Sequence, residues 1–294
     1  MSQPARTLRW GIERRLEFIE FKLFWEGGVN RSDIIGAFDV SVPQASKDLT
    51  LYQEQAPENA TYDKSAKRYV ASDRFNPCFL NPDPHDYLSR LRSVSEGLVD
   101  PSGSWISQLP SVDIALTPKR DIAPTVLRAA LAAVRDKRAL EILYQSMSKD
   151  RPEPIWRWIT PHAFGFDGFR WHTRAFCHLD GRFKDFLLPR VVDVRATSAP
   201  GAAGEQDEQW QEVFEVSICP HPALTASQQA VVARDYGMDD RCGSLRVRYA
   251  MLFYVLKRLG VLGDAAREDP RRQHIVVANW QETSAALQKA GFSE

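Results

Sequence analysis

The sequence predicts an α+β chain of several modules. A helical N-terminal unit ends in a hairpin, a small and strongly curved β-sheet or partly closed barrel sits in the middle, and a small α/β unit closes the chain. Three observations carry this. Apolar residues recur at helical spacing early in the chain. Two Asp-Gly pairs, Asp167-Gly168 and Asp180-Gly181, punctuate alternating runs in the centre, a strong hairpin signal. From residue 207 onward, strand-like and helix-like runs alternate. At 294 residues, with 44% hydrophobic and 26% charged content, the chain has ordinary globular composition and room for two or three modules.

The formal net charge is zero, which speaks against a chain coated in basic residues. Cations and acids also balance over residues 1–75. A nucleic-acid partner must therefore be argued from arrangement, because a local basic patch can act inside a neutral chain. Cys78, Cys177, Cys219 and Cys242 are far apart, with no CxxC or zinc-finger spacing. All four read as buried free thiols in a reduced, cytoplasmic protein. The start "MSQPARTLRW" is not a signal peptide, and no apolar run approaches membrane-spanning length. Neither a membrane partner nor a cofactor is expected.

Residues 1–75 form the first module. Leu8, Ile12, Leu16, Ile19 and Leu23 line one stripe of a helix over residues 8–26, stopped by Gly27 and Gly28. "NRSDIIGAF" is a short second helix capped by Asn30 or Ser32. The third follows Ser41 as N-cap, with Pro43 early in the helix, where its missing N–H costs nothing, and stops at Pro57. "ATYDKSAKRYVAS" then reads as strand, turn, strand. Three helices and a hairpin are the order of a winged helix-turn-helix. The third helix is then the DNA-reading helix, offering Ser41, Gln44, Ser46, Lys47 and Thr50 to base edges and phosphates. Lys64, Lys67 and Arg68 on the hairpin suit a wing gripping the backbone. The competing reading is a helical packing module with a decorative hairpin.

Residues 76–137 read as a helical linker: a Pro-, Asp- and Ser-rich stretch with short helices, then a well-defined helix in "APTVLRAALAAVRDKR". Residues 138–198 hold about five short strands. In "RWHTRAFCHL", alternation sends Trp171, Thr173, Ala175, Cys177 and Leu179 to a core face, and Arg170, His172, Arg174, Phe176 and His178 to the other. On the next strand Phe186, Leu188 and Arg190 share a face. One reading is a concave patch that binds an anion, with Arg174 and Arg190 as bidentate donors and His172 and Tyr144 adding hydrogen bonds or stacking. The other is a solvated face paired with carboxylates such as Asp185 and Asp193. Pattern alone does not choose between them. After a linker, residues 207–294 show strand, helix, strand, helix, strand, helix.

The segment from Leu140 to Thr197 resembles a WYL domain. The naming tripeptide falls at Trp171-His172-Thr173, of which only the tryptophan is kept. The I-x-Y strand at Ile142 to Tyr144, Pro161 after a strand, and F-x-x-x-R at Phe186 and Arg190 match. The resemblance implies an Sm-like barrel that senses a ligand, with Tyr144, His162, His172, Arg174 and Arg190 as its ligand-binding candidates. The whole order, a winged helix, helical linker, WYL domain and C-terminal extension, is similar to that of repressors encoded beside bacterial phage-defence operons of the BREX and CBASS types. It implies a homodimer, with dimer contacts from the C-terminal extension, that binds an inverted repeat of double-stranded DNA before its own operon and responds to a nucleotide or nucleic-acid fragment.

Two other function classes compete. An Sm-like barrel can bind single-stranded RNA. A metal nuclease is faintly suggested by "EDPRRQHIVVANW" around Asp269, which lacks paired acids; P-loop, GxSxG and HExxH motifs are also missing. His172 and His178 share a face but sit ~20 Å apart along one strand, too far to hold one ion without a sharp bend.

Overall fold

The computed structural model describes residues 10–115, 118, 120–239, 241–263 and 265–292. Leu8, the first residue of the expected stripe, lies outside them. The chain divides into two compact units, residues 1–117 and 118–294.

In the first unit, α1 (Trp10–Glu26), α2 (Arg31–Phe38) and α3 (Val42–Gln55) precede the antiparallel pair β1 (Ala60–Asp63) and β2 (Arg68–Ala71). This is the expected winged helix. Asn30 is the cap of α2: its side chain accepts from the Asp33 N–H, and Asp33 accepts in return from the Asn30 N–H. The apolar stripe of α1 buries Leu16, Ile19 and Leu23 with Ile34, Leu49 and Tyr52 in one core. The Pro-rich stretch that follows is drawn onto that core. α4 (Pro84–Ser95) contributes Leu91, and Trp105 and Ile106 beyond it are buried in the same cluster. Glu20 explains part of this docking. Wholly buried on α1, it accepts the backbone N–H groups of Cys78, Phe79 and Leu80 and the Tyr52 hydroxyl.

The second unit starts with α5 (Pro124–Arg135), whose Val126, Ala130 and Ala133 pack into the core of the sheet that follows. Five antiparallel strands, β3 (Ala139–Tyr144), β4 (Ile155–Phe166), β5 (Trp171–Cys177), β6 (Arg182–Leu187) and β7 (Val191–Ser198), stand in the order β6-β5-β4-β3-β7. Both Asp-Gly pairs sit between neighbouring strands, with φ of 88° at Gly168 and 63° at Gly181, which favours glycine.

The expected Sm-like barrel is not seen: among the described residues the edge strands β6 and β7 share no ladder. A 3-10 turn, Leu188–Arg190, joins them. Leu187 and Val191 can be at most roughly 14 Å apart along the chain, whereas four flat strand spacings span roughly 19 Å. The sheet must therefore curl. Pro189 in the turn lacks the N–H that continued pairing would need. The same turn ends the strand at Leu187, so Phe186, Leu188 and Arg190 do not share one strand face.

Two short elements, a 3-10 turn at Gly204–Gln206 and α6 (Glu208–Gln211), lead into β8 (Val213–Pro220), α7 (Ala226–Asp235), β9 (Gly243–Arg248), α8 (Tyr249–Leu259), β10 (Ile275–Val277) and α9 (Trp280–Lys289). Alternation of strands and helices is as expected. The three strands are antiparallel, in the order β10-β8-β9.

Contrary to what the sequence suggests, the four cysteines are not all free thiols. The β8–β9 register pairs Ile218 with Gly243, which puts Cys219 and Cys242 opposite one another, and they form a disulfide with Cα atoms 4.3 Å apart. Cys78 is free but exposed, and Cys177 is free and buried. No helix among the described residues is long and apolar enough to cross a membrane.

Candidate functional sites

α3 is fixed from below. Ala45, Asp48, Leu49 and Tyr52 face the core. Asp48 is clamped by Arg15 of α1 at 2.7 and 3.1 Å, a bidentate pair. Gln44 lends its amide to the same carboxylate at 2.9 Å. Ser41 is spent as the N-cap, its hydroxyl accepting the Gln44 N–H at 3.3 Å. Ser46 is half-buried, and its carbonyl accepts the Thr50 hydroxyl at 3.0 Å. Lys47 and Thr50 remain on the open face, with Val42 exposed at its start. Of the residues expected to read DNA, Lys47 is thus freely presented, Thr50 is exposed with its hydroxyl turned back onto Ser46, and Ser41 and Gln44 shape the helix. Arg15, which the sequence reading passed over, aims the helix through Asp48.

The hairpin divides similarly. Asp63 accepts the N–H groups of Ser65 and Ala66 at 2.7 and 3.0 Å, and Lys67 takes a left-handed φ of 52° to close the turn. Lys64 and Lys67 stand exposed at the tip. Arg68 turns inward instead: its guanidinium donates to the carbonyls of Glu26 and Gly28, tying wing to helix.

The expected ligand patch on β5 is not an open face. His172 and Arg174 point away from the Ala175 and Cys177 face, as alternation requires, yet both are buried. Arg174 donates bidentately to Asp207 at 2.7 and 3.0 Å, and also reaches Gln209 and Asp185. His162 meets the same Asp207 at 3.0 Å. Burial would raise the Asp207 carboxyl, but the hydrogen bonds from His162 and Arg174 outweigh it and hold the group below its ordinary range. His172 bonds Asp167 at 2.9 Å and lies 4.5 Å from the Tyr254 ring of α8. The Tyr254 hydroxyl donates to Asp185 at 3.0 Å. So the cations of β5 are covered and neutralised by acids from the 204–211 segment and the sheet itself. Asp193, one of the carboxylates expected to pair with this face, is exposed on β7, and Asp185 does pair.

Tyr144 lies on the concave side, its ring edge-on to Phe186 and its hydroxyl accepting the Leu187 N–H at 3.3 Å. Beside it Arg157 is buried, its guanidinium 5.4 Å from the Tyr144 ring centroid. Arg190 sits half-buried in the 3-10 turn, held by its carbonyl to the Gln145 N–H. The five candidates therefore divide into three groups: His162 with Arg174, His172 with Asp167, and Tyr144 near Arg190 of the β6–β7 turn. Trp171, expected in the core, is 52% exposed, its ring 4.9 Å from that of Phe166. His178 pairs with Thr160, and Asp269 is partnered by Arg271 in a turn.

A cavity of about 270 Å³ opens beside His162, lined by Thr160, Gly204, Glu205 and Trp210. Of the Asp207 cluster, His162 alone lines this cavity, while Asp207 and Arg174 stay buried behind it.

Comparison with known proteins matches three successive families. They are the BrxR transcriptional regulator winged helix-turn-helix domain over residues 11–93, the WYL domain over 125–196, and the BrxR transcriptional regulator C-terminal dimerization domain over 213–283. A DNA-binding transcriptional repressor CapW of Stenotrophomonas maltophilia is 43% identical over 282 residues, covering 96% of this chain and 94% of that one. The chain belongs to the CapW family. CapW repressors of Escherichia coli and Pseudomonas aeruginosa are each 35% identical, over 98% of this chain and 96% and 95% of theirs. The CapW family likeness thus runs through all three domains, and the winged helix, WYL and dimerization domains coincide with the elements described above.

Proposed function

We propose that this protein is a homodimeric, DNA-binding transcriptional repressor acting in the cytoplasm on the promoter of its own operon, a phage-defence operon of the BREX or CBASS type. Likeness along the full length to repressors of the CapW family is the observation that carries this reading. The geometry agrees with it. Lys47 and Thr50 are presented on a helix anchored through Asp48, and two wing lysines flank it, the arrangement a winged helix uses for base and phosphate contacts. The C-terminal module, matched to a dimerization domain, joins two such helices so that they read an inverted repeat.

The WYL domain is the sensor in this reading, and its ligand is an anion. Because Arg174 and His162 already hold Asp207, such an anion works at that cluster by displacing an internal carboxylate, entering from the His162 cavity. Displacement would release the segment that leads into the dimerization domain. The ligand must bind the released state more tightly than the closed one, or it shifts nothing.

A reporter gene behind the DNA upstream of the protein's own gene tests the repressor reading. Wild-type protein is expected to silence it, and Lys47→Ala combined with Lys67→Ala to restore expression at equal protein level. Equal expression with and without wild-type protein would refute the reading.

A further inference from the structure

Away from the Asp207 cluster, the Asp167–Arg170 turn of the WYL domain and the last turns of α8 enclose a cavity of about 300 Å³. Arg170, Lys257 and Arg258 line it, and Arg120 stacks over the Phe169 ring at 4.7 Å. The cavity's one carboxylate, Asp167, is fully engaged: it accepts the Arg170 Nε, the His172 Nε2 and the N–H groups of Phe169 and Arg170. Burial would raise its carboxyl, and the His172 and Arg170 hydrogen bonds instead hold it well below the carboxylate range, so it stays charged and committed to these partners.

Among the described residues Arg120, Lys257 and Arg258 form no ion pair. Lys and Arg near a helix C-terminus are often explained by the helix dipole alone. That does not account for Arg258, whose guanidinium lies flat against Gly168, so close that a Cβ there would meet it at 2.7 Å. Glycine at this turn both permits the φ of 88° and admits the arginine. Cations are thus gathered from two domains around one hollow, beside an aromatic ring that is still 41% exposed.

We propose that this cavity is a nucleotide-phosphate site: Lys257, Arg258 and Arg170 hold the phosphate, and the base stacks on Phe169. Guanidinium and ammonium groups around one point recognise phosphate oxygens, and an exposed aromatic recognises a base face without regard to sequence. The volume is at the small end of ligand pockets and fits one nucleotide unit. This unit can be a free nucleotide or the phosphorylated end of a short strand. Binding here would tie the WYL turn to α8 of the dimerization domain. The binding claim stands by itself; its effect on repression rests on the reading above.

Isothermal titration calorimetry of the full chain tests it with thymidine monophosphate, thymidine, inorganic phosphate and a phosphorylated thymidine tetranucleotide. Thymidine monophosphate or the tetranucleotide is expected to bind at least about tenfold more tightly than thymidine or phosphate alone. The tighter of the two identifies the source. Lys257→Ala with Arg258→Ala should weaken that binding about tenfold or more, with thermal melting unchanged. Phe169→Ala should weaken the nucleotide but leave inorganic phosphate as it was. Undiminished binding by the double variant, or no binding of either nucleotide probe at roughly 1 mM, overturns the proposal. DNA binding by the same preparations is scored separately, so loss of the repressor reading and loss of this site are distinguishable.

Discussion

Asp207 shows how one residue changes the meaning of a pattern. Alternation along β5 correctly places Arg174 and His172 on the face opposite Ala175 and Cys177. It says nothing of what covers that face, and the covering carboxylate lies 33 residues along the chain, where the linker meets the last module. Periodicity reports direction; partners come from tertiary contacts that no local signal carries. The pair has a measurable consequence. Asp207→Asn removes the charge and the bidentate acceptor, leaves the buried guanidinium with Asp185 as its carboxylate partner, and should destabilise this unit by about 3 kcal/mol, read by chemical denaturation. The pH dependence has a definite sign. Asp207, Asp167 and Asp180 all have carboxyls held below their ordinary range. Their contribution is present above the unfolded carboxylate value of about 3.9 and is lost as pH falls below it. Burial lowers His178, which adds a loss beginning as pH falls through about 6.5. Melting temperature should therefore be flat at neutral pH and fall on acidification, with the step near pH 4 smaller in Asp207→Asn; a melting temperature that rose on acidification would contradict these signs.

The elements were the most legible level. Capping at Asn30 and Ser41, glycine at the Asp-Gly turns and the strand–helix alternation of the last module each follow from short-range chemistry, and each appears where the sequence places it. The misses are instructive for the same reason. Pro189 breaks a run that otherwise reads as one strand, and the resulting turn leaves the sheet curled but unpaired at its edges. Arg68 sits at a position that suits a phosphate contact, yet its guanidinium braces the wing against Gly28, which only the folded neighbourhood reveals. That brace yields a prediction for the wing as an element. A Cβ at residue 28 would collide with the Arg68 side chain and with the Tyr69 carbonyl at 2.6 Å. Gly28→Ala should shift the hairpin, weaken DNA binding and lower the melting temperature of the first unit by several degrees. If the variant binds and melts like wild type, Arg68 is not the brace assigned to it.

At the scale of the molecule, the sequence order of modules matches the order of the three families, whereas the packing of its connecting segments had to be seen. Leu91 and Trp105 belong to the winged-helix core, and Val126 and Ala130 to the sheet core. The Cys219–Cys242 bond is the clearest case of a long-range feature hidden from spacing rules, since it follows from the β8–β9 register. Closing a loop of 23 residues contributes about 3 kcal/mol by the chain-entropy argument. Reduction should lower the melting temperature of the second unit and leave the first unchanged, and non-reducing peptide mapping should recover the linked pair. Recovery of both thiols free in freshly purified, unreduced protein would contradict it.

The central claim is that the winged helix reads a particular DNA sequence through Lys47 and its neighbours, with the wing lysines on the phosphates. Fluorescence anisotropy tests it most directly, using duplex DNA from upstream of the protein's own gene, a scrambled duplex as control, and near-physiological salt. The account predicts tighter binding to the natural duplex by ~10³ or more, weakened by Lys47→Ala, with Lys67→Ala reducing the salt slope by about one. Equal, weak and salt-sensitive binding to both duplexes would contradict it.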